Sequence, residues 1–206
     1  MPLQAQLVSP TLDEETARAE VYGLLSALYY APPTAELISN IRVAVTEAPA
    51  AGALLEASWR ELVAAARRLS PEDMAREYDA LFGGVGKPEV YLFGSHYLSG
   101  FLNEKPLVAL RTDLERLGLA RDEGMPETED HVAYLCEVMR YLIAGDDVEV
   151  ADLTRQREFF ARHLQPWAIT LCDAVSVHPK ADFYRCVAGF TETFISVETQ
   201  GFDMLA

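Results

Sequence analysis

The sequence predicts an all-α fold, a compact bundle of roughly eight to ten helices, and three observations carry that expectation. Apolar residues recur every three or four positions through most of the chain. Capping residues and prolines punctuate these runs at helix-length intervals. Strand-like alternation never lasts beyond a few residues. At 206 residues the chain is long enough for a real core, and no fixed-period repeat or low-complexity tract divides it. A single domain over 1–206 is expected.

Thr11-Leu12-Asp13-Glu14 has capping-box spacing and opens a helix through Val21, Leu24, Leu25 and Leu28. Ala31-Pro32-Pro33 stops it, and Thr34 caps a second helix carrying Leu37, Ile38, Ile41 and Val45. After Pro49 a third runs through Leu54, Leu55, Trp59, Leu62 and Val63 to Leu69. Ser70-Pro71-Glu72-Asp73 combines an N-cap, a first-turn proline and two acids, and starts a fourth. Asn103 is placed to cap a helix through Leu107, Leu110, Leu114 and Leu117, closed by Gly118. A polar loop over Ala120–Thr128, with Gly124 and Pro126, reads as a hinge near 120–130 between parts 1–119 and 129–206. His131–Ala144 is helical, with Val132, Leu135, Val138, Met139 and Leu142 inward and Gly145 at its end. Helices over Val150–Leu164, from Pro166 to the His178-Pro179 break, and over Phe183–Val197 complete the chain.

A net charge of −15 works against binding nucleic acid or anionic membrane and suits a basic partner, although solubility alone accounts for it. Met1–Pro10 lacks the basic start and apolar run of an export signal, and no apolar segment is long enough to insert in a membrane. Cys136, Cys172 and Cys186 are widely spaced and fit neither a disulfide framework nor a metal site. Buried thiols in a cytoplasmic protein are expected.

The pivotal stretch is Glu77–Tyr97, EYDALFGGVGKPEVYLFGSHY. Tyr78, Leu81 and Phe82 share a helix face, the chain breaks at Gly83-Gly84 and Gly86-Lys87-Pro88, and Tyr91, Leu92, Phe93 and Tyr97 follow. Aromatic rings favour burial while Gly and Pro mark irregular backbone, so this segment either plugs the core or lines a groove. A phosphate loop fails: Leu81 stands where the first glycine belongs, Pro88 follows Gly86-Lys87, and a helix precedes. Ser95 lacks a nucleophile elbow, since Tyr97 replaces its last glycine. The four histidines do not cluster, and His163 and His178 read as surface residues beside helix ends. Thr128 as an N-cap, with Glu129 and Asp130 in the first turn, accounts for the approach to His131 without a functional role. No catalytic residue, metal or cofactor is expected, and the profile is that of a protein that holds a peptide.

The chain resembles the TorD/DmsD/NarJ family of redox-enzyme maturation chaperones over nearly its full length. Glu77–Phe82 is similar to the family's aromatic-x-x-Leu-Phe segment, and Gly94-Ser95-His96-Tyr97 to its Gly-Ser-x-aromatic continuation. Asp130-His131 with Glu137 and Met139 resembles its Pro-x-Asp-His helix start, and Phe159–Trp167 with Phe183-Tyr184 its C-terminal half. Thr128 departs from the proline of that helix start, and Leu92 from a proline found in some members. The resemblance implies a cytoplasmic, non-catalytic chaperone that binds the twin-arginine signal peptide, or another segment, of a molybdoenzyme catalytic subunit precursor. It would delay export until the cofactor is inserted. It also implies a peptide site of Tyr78, Leu81, Phe82, Phe93, Ser95, Tyr97, Asp130 and His131. A monomer or a domain-swapped dimer fits the hinge loop. The competing expectation is a helical scaffold that binds a folded redox-enzyme subunit.

Overall fold

Helix-period patterning is realised almost throughout. The computed structural model describes residues 10–46, 54–83, 87–102, 105–122, 124–145 and 152–204. Among these residues ten helices occur: α1 (Pro10–Tyr30), α2 (Ala35–Val43), α3 (Glu56–Arg68), α4 (Pro71–Leu81), α5 (Gly94–Ser99), α6 (Lys105–Arg116), α7 (Val132–Ala144), α8 (Leu153–His163), α9 (Gln165–Ser176) and α10 (Phe183–Asp203). The only extended pairing among them is an isolated antiparallel bridge between Phe93 and His131. The fold is an all-α bundle.

Several boundaries follow from local chemistry. The Thr34 hydroxyl accepts from Leu37 N at 3.1 Å, and the Ser70 hydroxyl from Asp73 N at 3.1 Å. Each satisfies a donor that the first helical turn leaves unpaired. Gly118, at φ 71°, lets α6 end in a reversal in which Leu119 N reaches back to Leu114 O at 2.9 Å. Other expectations shift. Helix α1 already includes Pro10, so the capping spacing at Thr11 falls inside it. Its buried stripe is Tyr22, Leu25, Leu28 and Tyr29, while Val21 and Leu24 are half-buried. Val45 and Leu54 lie beyond the ends of α2 and α3 and are exposed. Asp152 caps α8, its carboxylate accepting from Arg155 N at 2.9 Å, and the expected start at Val150 lies outside the described residues. Helix α10 continues past Val197 to Asp203. Pro49 and Asn103 lie outside the described residues.

Helix α1 lies along α7, α10 packs on α9, α3 and α4, and α5 sits between α6 and α9. The segments on either side of the 120–130 loop are therefore interleaved. Trp167, Tyr22, Tyr29, Tyr184, Phe160 and Phe194 are fully buried. Each apolar side chain so enclosed contributes about 1.5–3 kcal/mol. The long helices are further joined by one polar network. The Arg18 guanidinium grips Glu198 at 2.7 and 2.8 Å and donates to Gln156 at 3.1 Å. Tyr22 donates to the same Glu198 at 2.9 Å, and Gln156 donates to Leu142 O at 3.1 Å. Four helices thus meet with their buried polar atoms paired.

The start of α10 has no cap of its own. Asp182 occupies the cap position but turns its carboxylate to Arg68. Glu77 of α4 replaces it, accepting from Asp182 N, Phe183 N and Tyr184 N at 2.8, 3.0 and 2.7 Å. Three amide donors and the positive helix end meet one carboxylate brought from over a hundred residues away in sequence. Glu77→Ala is expected to lower the unfolding free energy by about 2 kcal/mol in urea titrations. Asp182→Ala, which loses only an exposed ion pair, is expected to cost less than about 1 kcal/mol. Equal costs would show that Glu77 is not the effective cap.

Candidate functional site

The pivotal stretch divides its aromatic residues between two neighbourhoods. At the end of α4, Leu81 is fully buried and Tyr78 and Phe82 are half-buried. The rings of Tyr78 and Phe82 lie 5.7 and 5.1 Å from Tyr184, and Phe82 lies 6.2 Å from Tyr29. Their polar tips have a defined use. Tyr78 donates to Tyr29 O at 3.1 Å and Tyr184 to Leu28 O at 2.9 Å, satisfying carbonyls that the last turn of α1 leaves open. Burial raises the Tyr78 pKa to about 12, with the Glu127 and Asp79 carboxylates adding to it, so the phenol remains a donor.

The second neighbourhood gathers Phe93, Ser95, Tyr97, Asp130 and His131 around the Phe93–His131 bridge. Gly94 N donates to Asp130 O at 2.9 Å and Val132 N to Leu92 O at 2.8 Å. The buried Asp130 carboxylate accepts from Ser95 N at 2.8 Å and from the Thr128 hydroxyl at 2.6 Å. It therefore caps α5 from across the bridge. Gly94 is required by the approach of α9, because a Cβ there would lie 2.9 Å from the Trp167 indole nitrogen. Trp167 stacks on Tyr97 at 5.5 Å with a 12° interplanar angle, and Tyr97 donates to Tyr91 O at 2.7 Å. Helix α5 is thus fixed at its start and along its side.

His131 is the N-cap of α7, in place of the expected Thr128. Its Nδ1 accepts from Ala133 N at 3.2 Å, which makes this nitrogen the unprotonated one. Phe93 packs edge-on against the ring at 5.0 Å. His163 also differs from expectation. It is buried, with Nε2 2.8 Å from Asp113, and its carbonyl accepts from Trp167 at 2.7 Å. Arg111 grips Glu129 with bonds of 3.0 and 2.9 Å. Burial would raise the Glu129 pKa, but the Arg111 fork outweighs it and holds the carboxylate below its ordinary value.

Two residues absent from the sequence-derived site connect the neighbourhoods. Tyr134 lies 5.6 Å from His131 and 5.8 Å from Tyr30, which follows Tyr29 at the end of α1. The position of Tyr134 one turn after His131 was a readable signal, whereas its proximity to Tyr30 is a product of the fold. Tyr134 also borders a groove of about 540 Å³ along the outer face of α7 and the loop after α6. Leu114, Leu119, Met125, Val138 and Tyr141 supply much of its apolar wall, and Glu137 and Arg140 pair on its rim at 2.9 Å. A smaller cavity of about 150 Å³ lies beside Ser95, Asp130, His163 and Trp167. No cluster of three or more His, Cys, Asp or Glu residues among the described residues is arranged to hold a metal. No helix is long and apolar enough to cross a membrane among the described residues.

Burial pushes the His131 pKa down to about 4, against a smaller opposing pull from Asp130. The unfolded chain takes up this proton near pH 6.5, while the folded chain resists it until about pH 4. The resulting stability is complete above pH 6.5 and declines by about 3 kcal/mol as pH falls to 4. His131→Asn keeps a capping side chain but does not titrate, and is expected to remove this part of the acid sensitivity. Urea midpoints at pH 7 and 4.5 measure it; an unchanged difference in the variant would exclude His131 as its source.

The nitrate reductase delta subunit family model matches residues 48–173, more than half of the chain. The chain is 24% identical over 204 residues to Chaperone protein TorD of Vibrio cholerae serotype O1, strain O395, covering 91% of this chain and 93% of that protein. It is 25% identical over 223 residues to Chaperone protein TorD of Shewanella loihica, covering 93% and 97%, and 22% identical to that of Colwellia psychrerythraea, covering 91% and 92%. On that match over more than half of its length, the chain belongs to the nitrate reductase delta subunit family.

Proposed function

We propose that this chain is a cytoplasmic redox-enzyme maturation chaperone that binds an unstructured segment of a molybdenum-containing oxidoreductase subunit. The segment is a twin-arginine leader or another apolar stretch, held until the cofactor is in place and export can proceed. The observation that carries this reading is the open apolar groove on α7 that begins at Tyr134, beside the bridge between α5 and α7. Such a groove accepts the apolar part of a peptide, and the −15 net charge speeds encounter with a basic one. The relatives named as chaperones support the assignment.

Within the proposed peptide site, the half-exposed Tyr78, Phe82, Phe93 and Tyr97 present surface to a ligand. Leu81, Ser95, Asp130 and His131 are buried and act by holding that surface in place. A monomer or a dimer swapped through residues 120–130 completes the proposal, and light scattering of the purified chain separates the two masses.

Affinity capture from the host cytosol, with bound proteins identified by mass spectrometry, tests the function. A molybdoenzyme precursor that retains its twin-arginine leader is expected. A molybdoenzyme subunit without a leader would keep maturation and remove export control, and folded unrelated partners would favour the scaffold. Val138→Asp, on the groove wall, is expected to weaken precursor binding about tenfold or more, with the urea midpoint measured alongside because Val138 also packs against the core. Unchanged affinity in calorimetry would place the peptide elsewhere.

A further inference from the structure

A second apolar groove runs along α1, bounded by the start of α3 and the second half of α10. Helices α1 and α10 are antiparallel, joined at Tyr29–Thr191, Tyr22–Glu198 and Arg18–Glu198. Two cavities of about 360 and 640 Å³ follow this seam, and Ala17, Val21 and Leu55 border both, so they form one groove. It shares no lining residue with the groove on α7. Val45, Leu54, Leu153 and Met204 come from separate parts of the chain, and each stands exposed at its border. Single exposed apolar residues are ordinary, but several that converge on one groove mark a contact surface. Trp59 completes the wall, its indole donating to Val45 O at 2.9 Å and its ring lying 5.4 Å from Phe190. The charges are one-sided. Glu14 and Glu20 of α1 line the groove, are exposed, and enter no ion pair among the described residues. The basic groups beside them are engaged: Arg18 is bound to Glu198 and Gln156, and Arg60 holds Glu56.

We propose that this groove docks an amphipathic helix of a partner protein, apolar side inward, with basic side chains meeting Glu14 and Glu20. The inference goes beyond the peptide site on α7 and does not depend on it. Walls built from the sides of helices offer an occupant almost no free backbone donors or acceptors. An extended segment would leave its amides unpaired in an apolar trough, whereas a helix satisfies its own. The dimensions agree. Ala17, Val21 and Leu24 present an apolar stripe at helical spacing, and the α1 wall from Glu14 to Leu24 is about 15 Å long, roughly three turns. Glu14 and Glu20 are separated by about 9 Å along the axis of α1, close to the two-turn repeat along one flank of a facing helix. Basic residues about two turns apart on that flank therefore meet both carboxylates. A second copy of this chain is the poorer occupant, because each copy carries a net charge of −15 and brings the same carboxylates.

The test uses the full chain and a synthetic helix of about four turns, with leucines at helical spacing and two lysines about two turns apart. A control peptide carries glutamates in place of the lysines. Trp59 borders the groove while Trp167 is fully buried, so a change in tryptophan emission during titration reports occupancy. The lysine peptide is expected to change the emission and the glutamate peptide to leave it as it is. Leu54→Asp, at an exposed position, is expected to weaken the lysine peptide about tenfold or more. Glu14→Gln combined with Glu20→Gln is expected to weaken it about fivefold at low salt, with the difference shrinking as salt is added. Tyr141→Asp, on the α7 groove, is expected to bind it as the wild type does. No response to the lysine peptide, or equal binding by wild type and Leu54→Asp, overturns the docking site and leaves the proposed function standing. Loss of the lysine peptide in Tyr141→Asp alone assigns it to the α7 groove and overturns this one. A dimer in sedimentation that Leu54→Asp dissociates overturns the partner helix in favour of a second copy. Retained helix binding by a chain that captures no molybdoenzyme segment removes the proposed function and leaves this inference intact.

Discussion

The geometry around the candidate site depends on where the Asp130 carboxylate directs its lone pairs. One oxygen accepts from the amide of Ser95 and the other from the hydroxyl of Thr128. The first bond fixes the start of α5, and the second fixes the chain just before α7. The carbonyl of the same residue accepts from Gly94 N, so backbone and side chain act together on one turn. A buried carboxylate is costly unless its hydrogen bonds are complete. Here that cost is offset by closing the start of α5 and tying down the chain ahead of α7. A peptide that reached for this carboxylate would have to displace bonds the fold relies on.

Glu77 repeats the device at the other end of the pivotal stretch. Its carboxylate meets three amides of α10, while Tyr78, the next residue, closes the end of α1. Leu81 and Phe82 then pack the junction between them. Adjacent residues on a helix point in different directions, so one short segment serves α10 on one side and α1 on the other. The question whether this segment plugs the core or lines a groove has a divided answer. Glu77 and Leu81 hold the fold together, and the half-buried rings keep part of their surface exposed.

Local chemistry was legible in the sequence and long-range chemistry was not. Thr34 and Ser70 cap their helices as the spacing predicts, because the donors they serve lie three residues away. Thr128 has the composition of a cap but faces Asp130, which is itself turned toward α5. His163 looks like a surface imidazole beside a helix end, and only α6 supplies the Asp113 that pairs with it when buried. Nothing next to Gly94 in sequence explains its lack of a side chain, which Trp167 imposes from α9. The motif residues of the site were found by resemblance. Tyr30 and Tyr134 belong to no quoted motif and meet only because α1 and α7 lie together.

Under the proposed function, this division of labour lets a rigid bundle hold a pliable ligand. The groove along α7 is walled by Leu114, Leu119, Val138 and Tyr141 on helices and their ends, so it exists before anything binds. A preformed wall spares the protein the ordering cost, leaving the peptide to bear its own. For the proposed peptide, the apolar floor would provide affinity with little discrimination among sequences, since any small apolar side chain satisfies it. Discrimination has to come from a group that loses more when unmatched than it gains when matched.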